Sequence, residues 1–319
     1  MRGRNNAEKS MADAGGTRDS CVMSMRSDIV PEPARPPSSG LRGDYAAAAA
    51  DYTVPQAWDT YTRAEHDRWR RLYARQADVT AAHASPAFPH ALHGLDASGG
   101  VPRLDAVSEA LDTVTGWRLI AVPGLIPDQA FFRHLAGRRF PVTRWLREER
   151  ELDYIAEPDV FHDFYGHVPM LFQPAFADGM QAYGARGLEL DEAGAKRMAR
   201  LYWYVVEFGL ERTSEGLKAF GAGILSSAAE TVFSVTDPSP NRIAFDLRRV
   251  LRTRYRIDDF QETYFVLDRF EDLLSAVERP LGPVIDSLAR EPDLEPHALE
   301  PTDRVISRGQ GPRHRKAQA

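Results

Sequence analysis

The ten residues Leu201-Tyr202-Trp203-Tyr204-Val205-Val206-Glu207-Phe208-Gly209-Leu210 carry one charge, on Glu207, in an otherwise apolar and aromatic run. A helix that is apolar on all sides belongs inside a fold rather than on its surface. On such a helix Trp203, Tyr204 and Leu210, at −4, −3 and +3, surround the Glu207 carboxylate with rings and methyl groups. Burial there is costly unless a cation or a hydrogen-bond network compensates the charge. Two readings stand at this point. Either Glu207 turns to solvent or pairs with an arginine such as Arg200, or it holds a cation in the interior.

A partner for the second reading lies upstream, in Pro158-Asp159-Val160-Phe161-His162-Asp163-Phe164-Tyr165-Gly166-His167-Val168-Pro169. His162 and His167 are five residues apart. At ~100° per residue a regular α-helix would separate them by ~140°, so they would not share a face. For both to reach one ion the helix must end or distort between them, and Gly166 and Pro169 are residues that permit it. The zinc-protease pattern H-E-x-x-H differs in spacing and in the residue after the first histidine, which here is Asp163. Taken alone, the pair also reads as surface or core histidines. With Glu207 it makes the two-imidazole, one-carboxylate triad of non-haem Fe(II) oxygenases, which leaves positions free for water, dioxygen or substrate. Zinc accepts the same donors in a hydrolytic site, so donor type leaves the metal open.

The remaining sequence frames a mainly α fold with minor β. Residues 1–50, rich in Gly, Ser, Pro, Ala and Arg, read as a disordered extension. Residues 51–289 read as a single domain carrying the candidate ligands, and residues 290–319 as a flexible polar tail. Periodicity predicts a helix over 57–77, an apolar helical stripe at Leu104, Val107, Leu111 and Val114, and strands at 118–122 and 140–146. Pro127 opens a helix that Gly137 closes, and Asp191 caps a long one. From 159 to about 231 the chain reads mainly as helix, 254–257 and 263–267 as a small hairpin, and Phe270 to Leu281 as a last helix capped near Asp268. With 46 acidic against 40 basic residues the charge balance argues against a nucleic-acid binder, which usually carries a basic face. A basic cluster at Arg313, Arg315 and Lys316 reads as a solvated terminus. Cys21, the only cysteine, allows no disulfide and no thiolate cluster within one chain. No stretch approaches the ~18 apolar residues of a membrane span, and no apolar stretch follows the basic start as in a secretory signal. A cytoplasmic monomer or weak oligomer, touching neither membrane nor nucleic acid, is expected.

At its motifs the sequence resembles the pterin-dependent aromatic amino acid hydroxylases, especially the short bacterial phenylalanine hydroxylases. The segments that carry the likeness are Glu157–Asp163 with Gly166–Pro169, Leu201–Tyr204 with Val206–Leu210, Phe220–Ser227, and Ser239–Arg242 running into Phe245–Leu247. Their order and spacing also match, over roughly residues 102–274. The resemblance implies a helical basket with short strands, forming a catalytic domain. It implies His162, His167 and Glu207 as iron ligands and Tyr202 as a tyrosine near the iron-bound water. It places Arg147 on the substrate carboxylate, a task that suits a guanidinium fork. Sequence alone would leave Arg147 among the surface charges of Arg147-Glu148-Glu149-Arg150-Glu151. The resemblance further implies Trp203 and Phe208 around the substrate ring, Gly223 and Ser226 near the substrate backbone, and Gly124, Leu125, Phe131 and Asp163 in the pterin pocket.

The activity so implied is hydroxylation of L-phenylalanine to L-tyrosine by O2, with Fe(II) and a tetrahydropterin (tetrahydrobiopterin or a related pterin) as cofactors. Tryptophan or tyrosine hydroxylation by the same means, and a zinc hydrolase using the same three side chains, are the alternatives. The sequence departs from the animal enzymes at Asp163, where they have glutamate, and at Ile155, where they have a threonine near the substrate. Their folded regulatory domain and tetramerisation helix have no counterpart in it.

Overall fold

In the computed structural model, residues 41–311 are described apart from 96, 154 and 258. Of residues 1–50, expected to be disordered, 1–40 lie outside them, as does the basic cluster beyond 311. Residues 41–50 depart from the expectation, with a 3-10 turn at Tyr45–Ala47 and Arg42 paired with Glu148 and Glu151. The first long element is α1, Arg63–His83, which opens on a reciprocal capping box between Thr62 and Glu65. It starts later than periodicity predicts, because Trp58–Thr60 forms a separate 3-10 turn preceded by Ala57 at φ +51°. α1 buries Trp69, Leu72, Gln76 and Thr80. The Trp69 ring meets Phe161 and Phe164 edge-on at 5.2 and 5.8 Å, so α1 backs the histidine segment. Next come α2, Ala87–His93, and α3, Leu104–Thr115, with Leu104, Val107 and Leu111 buried as its stripe predicts but Val114, its fourth member, exposed near the helix end.

β1, Arg118–Val122, and β2, Arg139–Thr143, pair in parallel through the intervening α4, Asp128–Ala136. Pro127 precedes the helix and Gly137 follows it, as expected. Val122 lies opposite Thr143. That register sets the loop leaving β1, Pro123-Gly124-Leu125-Ile126, beside the segment that leaves β2 towards Arg147. Beyond the histidine segment run α5, Pro174–Gly187, and α6, Glu192–Leu201, the latter capped by the Asp191 side chain.

Two departures follow. The stretch read mainly as helix turns into the strands β3, Leu210–Thr213, and β4, Gly216–Ala219. They form a hairpin whose turn needs Gly216 at φ +107°. After it come α7, Ala222–Leu225, α8, Ala228–Thr236, β5, Asn241–Ala244, α9, Leu247–Arg252, and β6, Thr263–Leu267. The predicted hairpin of 254–257 with 263–267 does not form. β6, buried at every residue, lies between β3 and β5 and is parallel to both, while Arg254 N–H donates to the Leu294 carbonyl instead.

The last predicted helix is two, α10, Glu271–Val277, and α11, Gly282–Leu288, broken around Pro280. Asp268 caps neither of them; it pairs with Arg212 and Arg304. The tail expected to be loose from residue 290 is held over its described part. β7, Val305–Ser307, completes a five-stranded sheet of order β4-β3-β6-β5-β7. Asp293 binds Arg200, and Asp303 binds the buried Arg249. These contacts escape a sequence reading because each joins residues more than 50 positions apart. No helix among the described residues is long and apolar enough to cross a membrane.

Candidate active site

His162–His167 forms one turn of π-helix. Hydrogen bonding from i to i+5 brings residues five apart onto one face. The distortion demanded by the spacing is therefore this turn, and the two imidazole centroids stand 5.3 Å apart, edge to face. Tyr202–Glu207, continuing α6, is a second π turn, with Phe208 N–H donating to the Trp203 carbonyl. It delivers the Glu207 carboxylate between the rings, with Oε1 3.2 Å from His167 Nε2 and Oε2 3.5 Å from His162 Nε2.

The protonation states suit a metal. Burial pushes the His162 imidazole down to about 4, so it is neutral near pH 7. Burial acts to raise Glu207, but the two imidazoles and the Gly223 backbone outweigh it and hold the carboxyl below its usual range. The Ser226 hydroxyl lies 3.5 Å from the Gly223 carbonyl and 2.9 Å from His162 Nδ1. Donating to the carbonyl, it accepts from Nδ1–H, which turns the Nε2 lone pair towards Glu207. A second carboxylate, Asp163, also has an oxygen near the two histidines, within 4.8 Å. One of its oxygens accepts the Thr143 N–H at 2.7 Å, and burial pushes its carboxyl up to about 7. Glu207, with an oxygen facing each imidazole, is better placed as the third donor.

Around this centre, Arg147 is buried rather than on the surface where sequence alone would leave it. Its Nε and Nη2 donate to the two oxygens of Asp159, each at 2.9 Å, and Asp159 also accepts the His162 N–H at 2.9 Å. Trp203 stacks on Tyr255 at 4.5 Å, lies 4.8 Å from Phe208, and donates through Nε1 to Gln261. Gly223 approaches Phe208 and the Glu207 carbonyl so closely that a Cβ would stand 2.8 Å from the Phe208 ring. Phe131 meets Tyr202 edge-on at 5.5 Å, and Tyr202 lies 6.1 Å from the His167 ring. Gly124 and Leu125 sit on the β1 loop, two and three residues beyond Val122, whose register partner Thr143 donates its N–H to Asp163.

The family model for biopterin-dependent aromatic amino acid hydroxylases matches residues 41–281. The chain belongs to this family. Phenylalanine-4-hydroxylase of Caulobacter vibrioides is 49 % identical to it over 269 residues, 84 % of this chain and 92 % of that one. The Chromobacterium violaceum enzyme of the same name is 46 % identical over 290 residues, 90 % of this chain and 96 % of that one. A crystal structure of the C. violaceum phenylalanine hydroxylase with bound iron(III) and 7,8-dihydrobiopterin superposes with a TM-score of 0.78 at 47 % identity, covering 81 % of this chain and 94 % of that one. As a member of this family the chain is an iron- and pterin-dependent monooxygenase with the helical basket expected of it.

In this hydroxylase the expected site residues gather on the histidine turn and on the elements packed about it. Asp159, Tyr255 and Gln261 received no task from the sequence. Asp159 stood in the quoted motif next to a buried arginine that sequence could not recognise as buried. Gln261 is 58 residues from the tryptophan it orients, with no local signal.

Proposed function

We propose that the chain hydroxylates L-phenylalanine to L-tyrosine, using O2, a tetrahydropterin and Fe(II) held by His162, His167 and Glu207. The observation that carries the metal assignment is the convergence of two Nε2 atoms on one carboxylate in apolar surroundings. Among the described residues no Lys or Arg pairs with Glu207, so a bound cation is what would balance it. The substrate follows from the relatives, whose names specify phenylalanine-4-hydroxylase.

Iron and the pterin, when bound, supply the activation of dioxygen. The protein's share is placement and the exclusion of water. Arg147 takes the substrate carboxylate, its fork kept rigid by Asp159. Trp203 and Phe208 clasp the substrate ring, with Tyr255 and Gln261 fixing the indole from behind. Gly223 lets Phe208 and the Glu207 carbonyl close in on the wall next to the substrate backbone, and Ser226 keeps the His162 lone pair turned inward. Tyr202 lies beside His167, and burial keeps its phenol protonated, a donor for a metal-bound water. Gly124, Leu125, Phe131 and Asp163 form the pterin side of the cleft, where an aromatic ring packs against a flat heterocycle. We place the enzyme in the cytoplasm as a monomer or weak oligomer, which sedimentation velocity tests.

The deciding experiment is aerobic turnover of L-phenylalanine, L-tryptophan and L-tyrosine with each component omitted in turn and with Zn(II) in place of Fe(II). Tyrosine formed only with both iron and tetrahydropterin supports the reading, and hydrolytic activity with zinc alone refutes it. Glu207→Gln should lose both iron content and turnover; iron loading equal to wild type refutes the triad.

A further inference from the structure

The chain ahead of the predicted domain, Arg42-Gly43-Asp44-Tyr45, lies across the β1 loop. Tyr45 Oη donates to the Leu125 carbonyl at 2.9 Å. Burial, aided by the charge of Glu157, pushes this phenol up to about 12, so it stays a donor at any working pH. Gly43, at φ +108°, lets the backbone descend until an added Cβ would stand 2.0 Å from the Pro123 carbonyl oxygen. From the other side, a Cβ on Gly124 would stand 2.7 Å from the Arg42 carbonyl oxygen and 2.9 Å from Tyr45 Oη. The two glycines thus permit a backbone-to-backbone contact that no other residue pair would allow.

Arg42 ties the same segment to the arm that carries Arg147. Its Nη1 donates to both Glu151 oxygens at 3.0 and 2.9 Å, and its backbone N–H donates to Glu157 at 3.3 Å. Its guanidinium also lies 4.4 Å from the centroid of the Trp145 ring. No described residue accepts a hydrogen bond from the Gly124 or Leu125 amide. The Tyr45 bond fixes the Leu125–Ile126 peptide through its carbonyl, while the neighbouring amides are left to a ligand with an acceptor edge.

We infer that Arg42–Tyr45 is a strap that positions the Gly124–Leu125 loop for the pterin, making Tyr45 a positioning residue for cofactor affinity. This rests on the proposed placement of the pterin against that loop. Tyr45→Phe removes one hydrogen bond and keeps the ring. Gly43→Ala forces the strap off Pro123 by a different route.

In the full-length, iron-loaded protein, the dissociation constant of 7,8-dihydrobiopterin measured by calorimetry should rise about fivefold in Tyr45→Phe, the size of one net hydrogen bond. It should rise further in Gly43→Ala. The KM for the tetrahydropterin should follow it, while the KM for L-phenylalanine moves less than about twofold. Hydrogen exchange at the Gly124 and Leu125 amides should quicken in both variants. Unchanged pterin affinity in both variants overturns the inference, as does an equal rise in both KM values that tracks a fall in melting temperature. Wild-type protein that binds no dihydrobiopterin would instead overturn the functional reading on which the strap depends.

Discussion

Replacing Asp159 by asparagine exchanges one carboxylate oxygen for an NH2 group and should unsettle both stability and substrate binding. Oδ2 of Asp159 accepts from Arg147 N–H and Nε, and Oδ1 accepts from Arg147 Nη2 and the His162 N–H, all at 2.8–2.9 Å. Asparagine can orient its carbonyl towards one of these pairs only, which sets its NH2 against the other two donors. Arg147 and Asp159 are 3 % and 0 % exposed, so no solvent relieves the clash or the unpaired guanidinium. Breaking a buried pair in this way costs ~3–5 kcal/mol. Urea unfolding of the metal-free protein measures this directly. With the arginine fork no longer oriented, the KM for L-phenylalanine should rise by about tenfold or more, the worth of a charge-assisted contact. A variant within ~1 kcal/mol of wild type, a loss typical of exposed ion pairs, would refute the view that the pair is a dry, four-bond lock.

The same pair predicts an acid limb. Burial acts to raise the Asp159 carboxyl, but Arg147 and the surrounding N–H groups outweigh it and hold it below its usual 3.8. Its contribution is complete above that value and is lost as pH falls through the lower folded pKa, so wild-type stability should fall in this window more steeply than that of Asp159→Asn. Ser226→Ala frees the His162 ring and should weaken iron affinity by about 10- to 100-fold, as loss of an outer-sphere partner does; iron titration checks it, and unchanged affinity would remove Ser226 from that role. Truncation after residue 289 strips Asp303 from Arg249 and Asp293 from Arg200, arginines only 5 % and 2 % exposed. It should therefore cost several kcal/mol, on the order of 3–5 per buried ion pair broken, and a truncated chain with wild-type unfolding would restore the loose-tail reading.

Local chemistry made much of this molecule legible. β1 and α4 follow from a short apolar run stopped by Pro123-Gly124 and from the Pro127 and Gly137 bracket, signals that need no distant partner. The histidine segment was legible in a stronger sense, since the five-residue spacing required a distorted helix and the structure supplies a π turn. The β3–β4 hairpin was hidden because its strands are four residues each and contain Glu211, Arg212 and Lys218, which fit a helix surface equally well. The same holds for Arg147, Arg249 and the segment after 290. A charged side chain reads as solvated until the fold brings a counter-charge to it, and those partners are supplied by topology.

Both donor-bearing segments contain one residue more per turn than an α-helix would hold, and this has a consequence for how such a centre can arise or be lost. Substitution anywhere between His162 and His167 leaves the count, and so the shared face, in place. Deleting a single residue there, with the turn returning to α geometry, would leave the histidines four apart and still within ~40° of one face, whereas the same deletion with the π turn retained would part them. The geometry of the centre is thus stored in segment length and helix type together. In comparing distant members of such a lineage, a one-residue gap inside either turn marks an exchange of π for α geometry rather than the loss of the centre.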